Sequence, residues 1–389
     1  MKFGAKKTIL GVLGMAAACL LGAALGAGGQ GAPAQKPLLA EDAFKNVKVL
    51  KGIPVNQFME AMGFFSASLG QSCEYCHEMP TGTWQDYAID NAHKKMARKM
   101  ILMMNAINQT NFAGRRVVTC YTCHNGGEQP KVTPTLAGVY AAPPPDDPDE
   151  TPLGQAPAGI TADQVLDKYL QALGGTQRLE GLTSFIAKGT NVGYGDQAYE
   201  RPVEIFAKAP DQRATVIHTV TGDNTTTYDG RTGWVAAPET NAPVPVMALT
   251  GTDLDGARLD AMLSFPAQIK QAPGGWRAGA PATIDNREVQ VLQGTAGGHP
   301  VRLFFDKESG LLVRLLRYTD SSVGLNPTQI DYSDYREVAG VKTPFKWTVT
   351  WLDGTSAFTL SDVQANAAIA AAKFAKPAPP TAPSKPATP

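Results

Sequence analysis

Two short stretches decide how this sequence is interpreted: Cys73-Glu74-Tyr75-Cys76-His77 and Cys120-Tyr121-Thr122-Cys123-His124. Both match C-x-x-C-H, the signature of covalent c-type haem attachment. Two thiols three positions apart can form thioethers with the two vinyl groups of one porphyrin, and the imidazole that follows can bind its iron. The motifs therefore predict two covalently bound haem c groups, attached through Cys73, Cys76, Cys120 and Cys123, with His77 and His124 as iron ligands.

Other uses of these cysteines must be weighed against haem. The chain has five cysteines, and the motifs contain four of them. Two CxxC pairs could form a four-cysteine zinc site, although such a site does not require a histidine after each pair. Two structural disulfides are a further alternative in an exported protein. A redox CxxC is expected beside a βαβ pattern, and neither motif has one. Haem is the alternative that uses the histidines as well as the thiols.

A helical pattern precedes each motif and supplies candidates for the second iron ligand. Apolar residues recur at helical spacing in two segments, one containing Val55, Phe58, Met59, Met62 and Phe65, the other Met96, Met100, Met103 and Ile107. Methionine is a common second haem ligand and raises the reduction potential. The spacing alone leaves Met59 and Met62 open for the first haem, and Met100 and Met103 for the second.

The N-terminus has the features of an export signal. Three lysines precede an apolar run from about Ile9 to Leu25, and small residues follow it. This pattern predicts a signal peptide over residues 1–34, cleaved after Ala27 or Ala34. An uncleaved membrane anchor is the alternative, although the run is shorter than about 20 residues. Cys19 lies within the apolar run, which argues against its lipidation.

Composition divides the rest of the chain into four segments. Residues 41–131 contain both motifs and form a predicted dihaem cytochrome c domain. Residues 132–158 include Pro143-Pro144-Pro145-Asp146-Asp147-Pro148-Asp149-Glu150, which is typical of an extended acidic linker. Residues 159–374 show short alternating runs and predict a β-rich domain. Residues 375–389 are rich in Pro, Ala, Lys and Thr and predict a disordered tail.

The β-rich segment predicts an antiparallel sheet with one or two helices. A helix is expected over Ala162–Leu173, ended by Gly174-Gly175, and another over about Asp253–Leu263. Strands are expected at Thr183–Lys188, Val203–Lys208, Ala214–Val220, Val289–Gln293, Val301–Phe305, Leu311–Tyr318, Thr328–Tyr332 and Phe345–Trp351. We expect the sheet to be strongly curved or rolled into a partial barrel.

The first domain resembles a known family. The matching segments are Phe44–Leu50, Cys73–His77, Ala97–Met100, Ala106–Asn108 and Val118–His124, and they resemble the first half of the tetrahaem cytochrome subunit of bacterial photosynthetic reaction centres. In that family each of these haems takes a methionine from the preceding helix, so the resemblance implies Met62 and Met100 as iron ligands. The family's other two CxxCH motifs are missing from this sequence. The resemblance implies two self-contained His/Met haems.

The second domain is similar to bacterial lipoprotein-sorting carriers of the periplasm. The similar segments are Ile160–Gly175, Lys188-Gly189-Thr190, Asp229–Trp234, Phe305–Leu311 and Asp331–Arg336. This resemblance implies a half-barrel around an apolar groove, suited to an acyl chain or to a hydrophobic segment of a partner. His218, His299, Asp331 and Asp334 have no catalytic motif around them, so no enzyme is predicted here.

Together these patterns predict an exported, periplasmic electron carrier rather than an enzyme. We expect redox partner proteins, associated with a membrane complex of reaction-centre or respiratory type, and the β domain would serve docking or an apolar ligand. The alternative is a lipid-binding protein with the haem domain as a redox tether. The chain has 35 Lys+Arg and 35 Asp+Glu, and this balance argues against a nucleic-acid partner, which selects a basic surface.

Overall fold

The computed structural model describes residues 36–142, 154–195, 198–237, 242–272 and 274–379. The predicted signal peptide with Cys19, the acidic proline-rich part of the predicted linker and the last ten residues of the tail lie outside these ranges. The described residues from Pro37 onward belong to one structural unit. Among the described helices, none is both long and apolar enough to cross a bilayer.

The N-terminal part of this unit is helical, as predicted. Its helices are α1 (Ala40–Ala43), α2 (Val55–Leu69), α3 (Ala92–Phe112), α4 (Cys120–His124) and α5 (Leu136–Val139). Helix α2 begins after Pro54, whose missing N–H is no loss at a helix start, and ends at Gly70 in the left-handed region (φ 62°). Helix α3 begins where the Asn91 side chain accepts a hydrogen bond from the Lys94 amide at 3.0 Å.

The C-terminal part is one antiparallel sheet of fourteen strands. They are β1 (Ser184–Val192), β2 (Glu200–Lys208), β3 (Gln212–Thr219), β4 (Gly222–Tyr228), β5 (Gly233–Ala236), β6 (Val246–Leu249), β7 (Arg277–Ala278), β8 (Ala282–Ile284), β9 (Arg287–Ala296), β10 (His299–Asp306), β11 (Leu312–Asp320), β12 (Leu325–Val338), β13 (Val341–Trp351) and β14 (Gly354–Ala365). The spatial order is β6-β5-β4-β3-β2-β1-β14-β13-β12-β11-β10-β9-β7, and β8 pairs with β9.

Three helices pack on this sheet: α6 (Ala162–Ala172), α7 (Thr176–Gly181) and α8 (Gly251–Ser264). Helix α8 contacts β3 and β4 in one half of the strand order and β9 and β11 in the other, so the sheet curves around it. The main apolar core joins Leu166 and Leu170 of α6 and Leu259 of α8 to strand residues such as Ile205 and Leu303. The face where an apolar groove was expected therefore carries the chain's own helices.

The predicted fold class, a helical region followed by a mainly antiparallel β region, is confirmed. All eight predicted strands are present, and so are the two predicted helices of the β region. The sequence patterns missed β4 to β8, β14 and the short helix α7. Strand β4, Gly-Asp-Asn-Thr-Thr-Thr-Tyr, has almost no apolar residues, so its sequence shows no strand pattern. Its hydrogen bonds to β3 and β5 hold it in the sheet more than a buried face does.

Candidate haem-binding site

Each motif forms a single helical turn. In the first, residues Cys73–Tyr75 form a 3₁₀ turn, and the His77 amide donates to the Cys73 carbonyl at 2.9 Å. In the second, helix α4 is the motif itself. Two hydrogen bonds fix its start: the Thr119 amide donates to the Thr122 hydroxyl at 3.0 Å, and the Thr122 amide donates to the Thr119 hydroxyl at 3.4 Å. In the second motif both thiols and the imidazole line one cavity, whereas in the first motif only Cys76 and His77 do.

The tertiary fold brings the two motifs together. The Tyr75 hydroxyl, within the first motif, donates to a Glu128 carboxylate oxygen beyond the second motif at 2.6 Å. This hydrogen bond to a charged acceptor raises the pKa of Tyr75 to about 12. The Gly126 amide donates to the Ser68 carbonyl near the end of α2 at 3.0 Å. The two turns and helix α2 are therefore linked directly, although 47 positions separate the two first cysteines.

A largely apolar cavity of about 620 Å³ lies between α2, α3 and the two motifs. This volume is within the range of about 300–1,000 Å³ typical of ligand and cofactor sites. Six motif residues line it: Tyr75, Cys76, His77, Cys120, Cys123 and His124. Cys73 is exposed outside the lining. Residues of both motifs and of helices α2 and α3 therefore surround one cavity, which could hold a large apolar group.

The two histidines differ in their surroundings, and both suit an iron ligand. Burial, together with the nearby Lys94 ammonium, lowers the pKa of His77 to about 4, so its imidazole is neutral near pH 7. Its Nδ1 atom is buried and has no hydrogen-bond partner, a cost that an external ligand would remove. His124 Nδ1 lies 3.2 Å from the Gly127 carbonyl oxygen. If Nδ1 donates there, Nε2 is left as the metal-binding nitrogen, which is the usual arrangement for a ligating histidine.

The four motif cysteines are free thiols in the structure. Burial raises the pKa of Cys120 to about 11, so this sulfur is protonated rather than a thiolate. Within the described residues, no three His, Cys, Asp or Glu side chains cluster as a metal site. These side chains fit thioether attachment of a porphyrin: the thiols are unpaired, and a histidine follows each pair.

The candidate methionines occupy distinct positions. Met62 is half-buried on α2 and lines the cavity, whereas Met59 is 45% exposed and does not line it. On α3, Met100 is half-buried and Met103 is 48% exposed, and both line the cavity. Methionine sulfur from α2 and from α3 is therefore available at the cavity wall.

Two buried polar residues of α3 support the motifs, and sequence patterns gave no signal for either role. The Lys94 ammonium donates to the carbonyls of Tyr87 and Ile89, both at 2.7 Å, and so fixes the segment after the first motif. Asn108 bonds the backbone of Val117 and Val118 just before the second motif. Both residue types are usually exposed on helices, so only their contacts reveal what they do.

Comparison with known proteins gives matches to the N-terminal part of the chain. Residues 26–139 match the family model described as photosynthetic reaction centre cytochrome C subunit. The photosynthetic reaction center cytochrome c subunits of Rubrivivax gelatinosus and Thermochromatium tepidum are 33% and 36% identical to this chain over 97 residues. Each match covers 24% of this chain and 25% or 23% of the relative, so the chain spans about a quarter of each relative's length.

Solved structures similar to this chain have little sequence in common with it. An outer membrane lipoprotein-sorting protein domain from Vibrio parahaemolyticus is 12% identical and covers 54% of this chain and 97% of its own, with a TM-score of 0.38. A LolA superfamily protein from Nitrosomonas europaea is 16% identical and covers 56% and 99%, with a TM-score of 0.38. The resemblance stated for the first domain is thus found in the family model and the relatives, and the solved structures are similar to this chain at low sequence identity.

Proposed function

We propose that this protein is an exported dihaem c-type cytochrome that carries single electrons. The cavity shared by both CxxCH turns supports this proposal most directly, since three of the four free thiols, both histidines and methionines of α2 and α3 line the same space. When bound, each haem supplies an iron that accepts or releases one electron. The chain would attach each haem through its cysteines, supply a histidine and a methionine for each iron, and surround the group with apolar side chains.

The proposed ligand sets are His77 with Met62 and His124 with Met100, with thioethers at Cys73 and Cys76 for the first haem and at Cys120 and Cys123 for the second. Met62 is favoured over Met59 because it lines the cavity. Met100 is favoured over Met103 because it is less exposed, although both face the cavity. A histidine and a methionine bound to each iron would leave no position for a substrate, which favours electron transfer over peroxidase-type catalysis.

The first experiment counts haems. A pyridine haemochrome assay on the purified full chain is expected to give two haems per polypeptide. One haem or none would contradict the proposal. Low-spin spectra are expected in both redox states, because each iron would have two protein ligands.

The second experiment identifies the methionine ligand on α2. Met62→His replaces a methionine with an imidazole, and because methionine raises haem potentials, one of the two midpoint potentials should fall. Met59→His is the matched control, three positions away on the same helix and outside the cavity lining. A fall in the Met59 variant with none in the Met62 variant would transfer the assignment to Met59.

The proposed partners are redox proteins, associated with a membrane complex of reaction-centre or respiratory type, and the proposed location is the periplasm. The N-terminal segment would direct export, or would anchor the protein if it is not cleaved. The alternative function, transport of an apolar ligand, needs an accessible groove in the β region. Helices α6 and α8 pack against that face, so the electron carrier is the function that the geometry favours. Lipid extraction and mass spectrometry of the purified chain test the alternative.

A further inference from the structure

The turn between β11 and β12 enters the core of the helical region. It consists of residues 321–324, and its Val323 side chain is completely buried. Val323 belongs to the same apolar cluster as Phe64 of α2 and Ile101 and Met104 of α3. Val323 is the one fully buried member of this cluster from the β region, more than 200 positions away along the chain, and the half-buried Leu352 also packs against the cluster. The two helices that carry Met62 and Met100 are packed around it.

This turn is held in a fixed shape by Ser321, which is 1% exposed. Its hydroxyl donates to the Gly324 carbonyl at 2.8 Å and accepts from the Gly324 amide at 3.1 Å and the Val323 amide at 3.4 Å. A backbone bond from the Ser321 amide to the Gly324 carbonyl at 3.0 Å closes the turn. Val323 is therefore presented by a preformed loop and not by a flexible one.

Contacts on both sides of the turn fix its position relative to the helices. A Cβ atom added to Gly324 would lie 2.1 Å from Cε2 of Phe64, so a larger residue would displace that ring. The Asn326 side chain donates to the Glu60 carbonyl of α2 at 2.9 Å. Arg116, four residues before Cys120, donates to the Ser321 carbonyl and to the Asp320 carboxylate.

We infer that the 321–324 turn is a positioning element for the haem ligands: it sets the separation of α2 and α3, and through it the β region tunes the haem potentials. This inference rests on the proposed function, because it requires methionine ligands on these helices. Methionine is flexible and unbranched, so its alignment with an iron depends on how firmly its helix is held. A side chain that fills the space between the two helices supplies that constraint.

The test compares identical substitutions at two strand-connecting turns in the full chain. Val323→Ala removes two methyl groups from the core between α2 and α3. Val220→Ala removes the same groups from the β3–β4 turn, where Val220 is 91% exposed. For each protein the haem content, the methionine-to-iron charge-transfer absorption and both midpoint potentials are measured.

Val323→Ala is expected to keep two covalent haems, to weaken the charge-transfer absorption and to lower at least one midpoint potential. Val220→Ala should match the wild type in all three measurements. If the wild type lacks two methionine-ligated haems, the proposed function fails. If the wild type has them and Val323→Ala retains wild-type potentials and absorption, the positioning role is wrong while the proposed function stands.

A second pair of variants decides the question if Val323→Ala does not accumulate. Ser321→Ala removes the hydroxyl that shapes the turn and leaves the apolar core filled. Ser322→Ala is its neighbour and control, because the Ser322 hydroxyl is buried without a hydrogen-bond partner. A downward shift of a midpoint potential in Ser321→Ala, with none in Ser322→Ala, supports the inference. Wild-type potentials in both variants overturn it.

Discussion

Asn108 connects helix α3 to the segment that leads into the second CxxCH turn. It is 6% exposed. Its side-chain amide donates to the Val118 carbonyl at 2.7 Å, and its side-chain oxygen accepts from the amides of Val118 at 2.9 Å and Val117 at 3.1 Å. Replacing Asn108 with alanine removes all three bonds two to three residues before Cys120.

The size of the destabilisation depends on whether each backbone group that loses its bond to Asn108 can bond to water instead. Val117 is 49% exposed, so its amide can bond to water at little cost. Val118 is half-buried, and a buried group left without a partner costs about 1–3 kcal/mol. Both its N–H and its C=O lose their partner. We therefore expect Asn108→Ala to lower the free energy of unfolding of the helical region by about 2–4 kcal/mol.

Asn105→Ala is the matched control, since Asn105 is exposed on the same helix. Both substitutions gain the same helix propensity, which cancels in the comparison. Urea unfolding, followed by far-ultraviolet circular dichroism and by haem absorbance, gives both free energies by linear extrapolation. If the two variants differ by less than about 0.5 kcal/mol, the ordinary range for surface changes, the three bonds do not stabilise the fold.

Two further predictions concern the same region. Gly70→Ala should lower the thermal unfolding midpoint more than Gly52→Ala. Both glycines have positive φ (62° and 77°), but only at Gly70 would the new Cβ lie 2.3 Å from a backbone oxygen, that of Gly126. Equal shifts of the midpoint in the two variants would show that this close contact is not the cause. Arg98 Nη1 lies 2.6 Å from Asp90 Oδ1. This guanidinium is the main group that holds the pKa of Asp90 well below its usual range. An Asp90 pKa that is lower in the folded than in the unfolded protein stabilises the folded state at pH above the unfolded pKa of about 3.9. This stabilisation is lost as the pH falls toward the folded pKa. The urea midpoint of the wild type should thus exceed that of Asp90→Asn at pH 7, and the difference should shrink at pH below about 4; a constant difference would contradict this.

Part of this molecule could be predicted from local patterns. Helices α2 and α3 follow from apolar spacing, and most residues of that spacing line the cavity rather than the buried core. The chemistry of the two motifs follows from the identity and spacing of five residues each. Strands such as β9 to β11 have apolar runs that bury side chains in the core. Strand β4 lacks such a run, since its pairing with β3 and β5 determines it. Strand β14 carries a local signal that the sequence analysis missed, the alternating buried residues Phe358 and Leu360.

The choice among methionines shows where local information ends. Helical spacing placed both Met59 and Met62 on α2 and could not separate them, because a period of 3.6 residues puts neighbours three apart on overlapping faces. The fold separates them, since only Met62 reaches the cavity wall. The roles of Lys94 and Asn108 could likewise not be predicted from the sequence, because their hydrogen-bond partners are backbone groups that only the fold brings near.

The sequence predicts haem attachment at both motifs, since the thiol spacing and the following histidine are local features of the chain. It also determined the division into a helical part and a β part, because periodicity is local. The packing of distant segments places both motifs at one cavity and places Val323, from the turn between β11 and β12, in the core between α2 and α3. Contacts across more than 200 residues depend on how the elements pack, and packing depends on the shapes of both surfaces together.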